Sequence, residues 1–145
     1  MQSQFMTRAI ELAKQAASQG EVPVGAVIVK DGKIIAEGYN QREQKNNALS
    51  HAEIEAINNA CKVLGDWRLD GCTIYVTLEP CPMCAGAIVN ARIKEIVFGA
   101  FDLSMGCVDS VVNLAQQFAP DTTVYGGIKE YECKTLMTEF FKNRR

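Results

Sequence analysis

A chain of 145 residues with 48% hydrophobic and 22% charged residues has the composition of an ordinary soluble domain, which excludes a disordered chain. Lys and Arg number 15 against 17 Asp and Glu, a formal net charge of -2, so a generally basic nucleic-acid binder is excluded and any such contact must be local. The longest apolar stretch, Val22 to Val29, falls far short of the roughly 20 residues of a membrane span. Met1-Gln2-Ser3-Gln4 carries no signal-peptide pattern, and one cytoplasmic domain over 1–145 is expected. Six cysteines in a reducing compartment suggest thiols or metal ligands before disulfides.

Phe5, Ala9, Leu12, Ala13 and Ala16 repeat at helical spacing, and Gly20 stops that helix. Val22 to Val29 and Ile34 to Tyr39 are β-rich runs joined through Asp31-Gly32, which suits the positive φ angles of a tight hairpin turn. The polar stretch from Asn40 to Asn47 reads as an exposed loop. Ala56, Ile57, Ala60, Cys61 and Leu64 mark a second helix, and strands at 73–78 and 95–99 flank a third from about Cys81 to Ala91. A short helix at 111–118, a short strand at 122–125 and a helical face of Cys133, Leu136, Met137, Phe140 and Phe141 complete the chain. The order α-β-β-α-β-α-β-α-β-α predicts a mixed five-stranded sheet with helices on both faces and parallel pairing where helices cross over.

The one histidine, His51, and the pair Cys81-x-x-Cys84 each open a predicted helix. At i, i+3 the two sulfurs share one side of a helical turn, and the helix N-terminus favours the thiolates that zinc requires. On spacing alone the pair serves a redox dithiol, half of a four-ligand structural site completed by Cys61, Cys72, Cys107 or Cys133, or a catalytic centre. Cys61 and Cys133 fall on apolar faces and Cys72 opens a strand, the places of small buried hydrophobes. His51, Cys81 and Cys84 then offer three ligands and leave one position for water, whose pKa zinc lowers from 15.7 to about 7. Ser50-x-x-Glu53 is a capping-box pattern, yet the apolar stripe continued backwards also lands on Glu53, so its carboxylate is placed toward the core as a candidate base.

His51-x-Glu53 together with Pro80-Cys81-x-x-Cys84 is identified as the zinc-deaminase signature. The stretches Glu21 to Val27, Gly38-Tyr39-Asn40, Tyr75 to Ala87 and Val97 to Ala100 extend the likeness over nearly the whole chain. They resemble the bacterial tRNA-specific adenosine deaminases of the cytidine/deoxycytidylate deaminase superfamily. That resemblance implies a cytidine-deaminase-like three-layer α/β/α sandwich, one Zn2+ per subunit and a homodimer. It also implies conversion of adenosine to inosine at the wobble position of a tRNA anticodon stem-loop, with release of ammonia. By the same resemblance Asn40 and the Ala52 backbone read the base, Val22, Pro23 and Leu78 line the pocket, and Asp102 meets the sugar beside it.

Locally, Asn40 reads as a strand-end turn residue and Asp102 as a helix cap or loop acid. Phe140 fits the core stripe, whereas Phe141 and Arg144 combine ring and charge as a single-strand RNA contact does. Arg42 and Lys45 are loop charges within reach of phosphates. Where the family pattern has a second glycine after Asp102, this chain has Asp109, tolerable at a positive φ but unfavourable beside phosphate. A deaminase of free guanine or cytosine and a non-catalytic zinc-stabilised RNA-binding module are the competing readings.

Overall fold

The computed structural model describes residues 2–144. Its elements are α1 (Gln2–Ser18), β1 (Gly25–Lys30), β2 (Lys33–Tyr39), α2 (Ala52–Leu64), β3 (Cys72–Leu78), α3 (Pro82–Asn90), β4 (Glu95–Ala100), α4 (Leu114–Phe118), β5 (Thr123–Tyr125) and α5 (Glu130–Lys142). The order is the one the periodicities predict. Strand β1 starts three residues later than its apolar run, because Val22, Pro23 and Val24 form a turn in which Val24 N–H donates to Val22 O. No helix among the described residues is long and apolar enough to cross a membrane.

The sheet runs β2-β1-β3-β4-β5, antiparallel across β2-β1-β3 and parallel across β3-β4-β5. Asp31 and Gly32 take φ of 51° and 75°, so a two-residue turn pairs Lys30 with Lys33. Parallel pairing occurs where α3 and α4 cross over. Strands β2 and β3 also run the same way, but β1 lies between them.

Alternation along the strands feeds two cores. Ala26, Ile28, Ile74, Val76, Ile96 and Phe98 face α2, α3 and α4, while Val27, Val29, Tyr75 and Val97 face α1 and α5. The result is the expected three-layer sandwich. Phe140 departs from its assignment to the core: it is only half-buried, with the Arg144 guanidinium 4.4 Å above its ring. Three of the four cysteines outside the candidate ligand set, Cys72, Cys107 and Cys133, are buried as small hydrophobes, and Cys61 is half-buried.

Two contacts fix helices to the sheet. A Cβ at Gly38 would lie 2.5 Å from both Ala52 O and Ala56 N, so α2 meets β2 backbone to backbone and only glycine fits between them. On the other face Arg8 grips Glu37 with two parallel bonds, Nε to Oε2 at 2.7 Å and Nη2 to Oε1 at 2.9 Å.

Gly38→Ala is expected to destabilise the fold by about 1–3 kcal/mol through overpacking, read as a lower urea midpoint at an unchanged m-value. The Arg8 hydrogen bonds hold Glu37 below the ordinary carboxylate range. A depressed carboxyl stabilises the fold above its unfolded value, near pH 4.3, and the contribution disappears as pH falls through the folded value. Because the pair is partly exposed, Glu37→Gln should cost only about 0.5–1 kcal/mol at pH 7, and urea titrations should show the difference from the parent chain vanishing in acid.

Candidate functional site

The β3-α3-β4 crossover brings the start of α3 to the C-terminal end of the parallel strands, and the β2-α2 connection brings the start of α2 to the same end. His51 caps α2 with extended backbone (φ -71°, ψ 158°), and Cys81 caps α3 likewise (φ -74°, ψ 175°) ahead of Pro82. The two side chains meet each other, His51 Nδ1 beside Cys81 Sγ. Cys84, one turn into α3, is buried beside them.

His51 Nδ1 lies 3.6 Å from Cys81 Sγ and 3.6 Å from Cys84 Sγ, and the three ligand atoms fall within 4.8 Å of one another. Tetrahedral bonds of about 2.0–2.1 Å to nitrogen and about 2.3 Å to sulfur would separate such atoms by roughly 3.6 Å, so the donor set fits a zinc-sized ion. Among the described residues no fourth His, Cys, Asp or Glu joins the group. Two helix N-termini point their positive ends at it, which favours thiolates. The Cys84 hydrogen bond, helped by His51, pulls the Cys81 thiol down to about 4, while the same contact and burial push Cys84 far up. The hydrogen bond to Cys81 raises His51.

Glu53 is not one of the three clustered ligand residues, but its carboxylate contacts the Cys84 thiol, and it is 4% exposed. Burial raises its carboxyl to about 7. The capping box is not formed: Ser50 N–H donates to Asn47 O. Glu53 instead lines a cavity of about 240 Å3 together with His51, Cys81, Val22, Val24, Asn40, Arg42, Ala52, Leu78, Glu79, Asp102 and Met105. This is smaller than the roughly 300–1,000 Å3 of drug-sized sites, so the ligand it takes is small.

Asn40 ends β2 in a turn and also lines the cavity. Its Oδ1 accepts the Arg42 N–H at 3.2 Å, a turn bond, and its Nδ2 donates to Val22 O at 3.3 Å while the residue lines the cavity. Pro23, expected on the wall, is buried but does not line the cavity; Val24 does, because the 22–24 turn presents its neighbours instead. Phe141 and Arg144 lie in two flanking depressions. The first shares Leu78 and Asp102 with the cavity, and the second shares Val22, Asn40 and Arg42. Asp109 is exposed and is not among the residues with positive φ, so the departure from the family glycine costs no backbone strain.

Sequence reasoning missed two buried acids that hold the walls. Glu21 accepts the N–H groups of Glu43 and Gln44, fixing the loop that carries Arg42. Glu79 accepts from the 102–110 loop that carries Asp102 and Met105. An acid embedded in an apolar run, with no basic residue at helical or cross-strand spacing, was the available signal.

The profile of the MafB19-like deaminases matches residues 1–145. A tRNA-specific adenosine deaminase of Bacillus subtilis is 49% identical, over 97% of this chain and 89% of its own. A solved structure from work on A-to-I editing by tRNA:A34 deaminases at the wobble position of transfer RNA superposes with a TM-score of 0.86 at 43% identity, covering 92% of this chain and 98% of that one. A guanine deaminase from Bacillus subtilis gives 0.66 at 38% identity, over 81% and 88%.

The ligand geometry makes a prediction that needs no substrate. Stripping metal with a chelator should lower Tm and added Zn2+ should restore it, whereas Cys84→Ser should abolish most of that zinc response in a thermal melt.

Proposed function

The chain belongs to the MafB19-like deaminase family, and from that premise we propose that it deaminates adenosine to inosine at the wobble position of a tRNA anticodon stem-loop, releasing ammonia. His51, Cys81 and Cys84 would hold one zinc ion per subunit, whose chemistry when bound is to make a water molecule acidic enough to lose a proton near neutral pH. The observation that carries the reading is Glu53. It is buried, outside the ligand group, in the same cavity, with a carboxyl tuned toward neutrality.

Glu53 takes the proton from water, gives it to N1 of the adenine as oxygen bonds to C6, and delivers a second proton to the departing amine. Water and adenosine thereby become inosine and ammonia. Asn40, already turned by its backbone bonds, and the Ala52 N–H hold the base edge; Val22, Val24, Leu78 and Met105 give it apolar walls that exclude water. Asp102, which lines the cavity and whose Oδ1 accepts from Ser104 and Met105, meets the sugar in this reading. Phe141 and Arg144, in depressions on either side, receive the neighbouring nucleotides by stacking and phosphate attraction. The same reading takes the protein as a cytoplasmic homodimer.

The likeness to a guanine deaminase supports a second reading, action on a free base. One experiment decides between them. Glu53→Ala should keep its metal but lose about 10²–10⁴-fold in kcat on an anticodon hairpin, scored as inosine at the wobble position. Turnover of free guanine or adenosine equal to that of the hairpin rejects the RNA reading, and an active Glu53→Ala rejects the mechanism.

A further inference from the structure

Glu79 lines the cavity between Leu78 and the turn that presents Cys81, and its carboxylate is engaged by the loop after β4. It is 1% exposed. Its Oε1 accepts the Asp102 N–H at 3.0 Å and the Ser110 hydroxyl, and its Oε2 accepts the N–H groups of Asp109 at 2.9 Å and Ser110 at 2.7 Å. Among the described residues no cation is paired with it; backbone and hydroxyl donors alone satisfy the carboxylate. Gly106 packs on the same group, and a Cβ there would collide with Glu79 Cδ and Oε1 and with Asp102 O.

Four donors drawn from 102–110 converge on one carboxylate, and the segment they fix places Asp102 and Met105 on the cavity wall. Cys107 and Val108 anchor the middle of the segment in the core, whereas Leu103 and Met105 are exposed, so the stretch on the cavity wall depends on hydrogen bonds such as the one from Asp102 N–H to Glu79. We propose that Glu79 is a positioning residue that sets affinity for the nucleic-acid strand, through the 102–110 wall, and leaves the chemical step to Glu53. This rests on the function proposed above. A glutamine at 79 keeps the size but replaces one acceptor oxygen with an NH2 donor facing N–H groups, so at least one loop bond turns repulsive.

The test compares the parent chain, Glu79→Gln and Ser110→Ala, all zinc-loaded, by metal content, amide hydrogen exchange and kinetics on the anticodon hairpin. Glu79→Gln should retain one zinc per chain, exchange faster at 102–110 and raise KM about tenfold with kcat within about threefold; Ser110→Ala should shift exchange and KM the same way by about two- to threefold. Unchanged exchange and KM overturn the proposal. So does a fall in kcat or in metal content at constant KM, which would assign Glu79 to the cysteine turn. If Glu79→Gln does not fold, Ser110→Ala decides by the same readouts. A parent chain inactive on the hairpin defeats the proposed function instead, while the exchange comparison still reads the loop.

Discussion

Two sulfurs and an imidazole nitrogen held within 4.8 Å of one another, at the ends of two helices, are a concentration of electron-rich atoms that only a shared cation or a shared proton reconciles. The contact between the two sulfurs pulls the Cys81 thiol down and pushes the Cys84 thiol up. Everything else about the site follows from where that cluster must be. Its ligands need two helix N-termini side by side, and the sheet supplies them where its pairing changes from antiparallel to parallel, across β1, β3 and β4. Ligand crevices at the carboxyl ends of strands are the general habit of α/β sheets.

Rigidity is distributed unequally around that crevice. The helix that carries His51 and Glu53 lies against bare backbone at Gly38, and α3 is buried through Cys84, Ala85 and Ile88, so these groups sit on elements with little freedom. Much of the remaining cavity wall, including Asn40, Arg42, Asp102 and Met105, lies on two loops. Each is tied down by one buried carboxylate, Glu21 for the segment after β2 and Glu79 for the segment after β4.

Much of this was legible in the chain because it depends on short-range pattern. The Asp31-Gly32 turn, the i, i+3 cysteines and the apolar stripe that runs back into Glu53 are local facts, and each fixes a direction in space. Where two local readings competed, tertiary contacts decided. Ser50 and Glu53 have the capping-box spacing, but Asn47 O takes the Ser50 N–H and leaves the carboxylate to the cavity. Phe140 has the core spacing, but α5 turns its last residues toward Arg144 and the groove beside the site. The partners of Glu21 and Glu79 were not legible for a different reason: the donors lie 22 to 31 residues away, on loops whose path no periodicity specifies.

The backbone contact at Gly38 and the carboxylate ties differ in how they respond to sequence drift. Backbone packed on backbone leaves no room for a side chain, whereas a loop tied to a buried carboxylate through its own N–H groups keeps that tie when its exposed side chains change. Asp109, exposed and giving Glu79 only its N–H, is a position whose side chain that tie does not constrain. A scaffold divided in this way lets recognition diversify by altering loop composition while the hydrolytic centre is inherited unchanged.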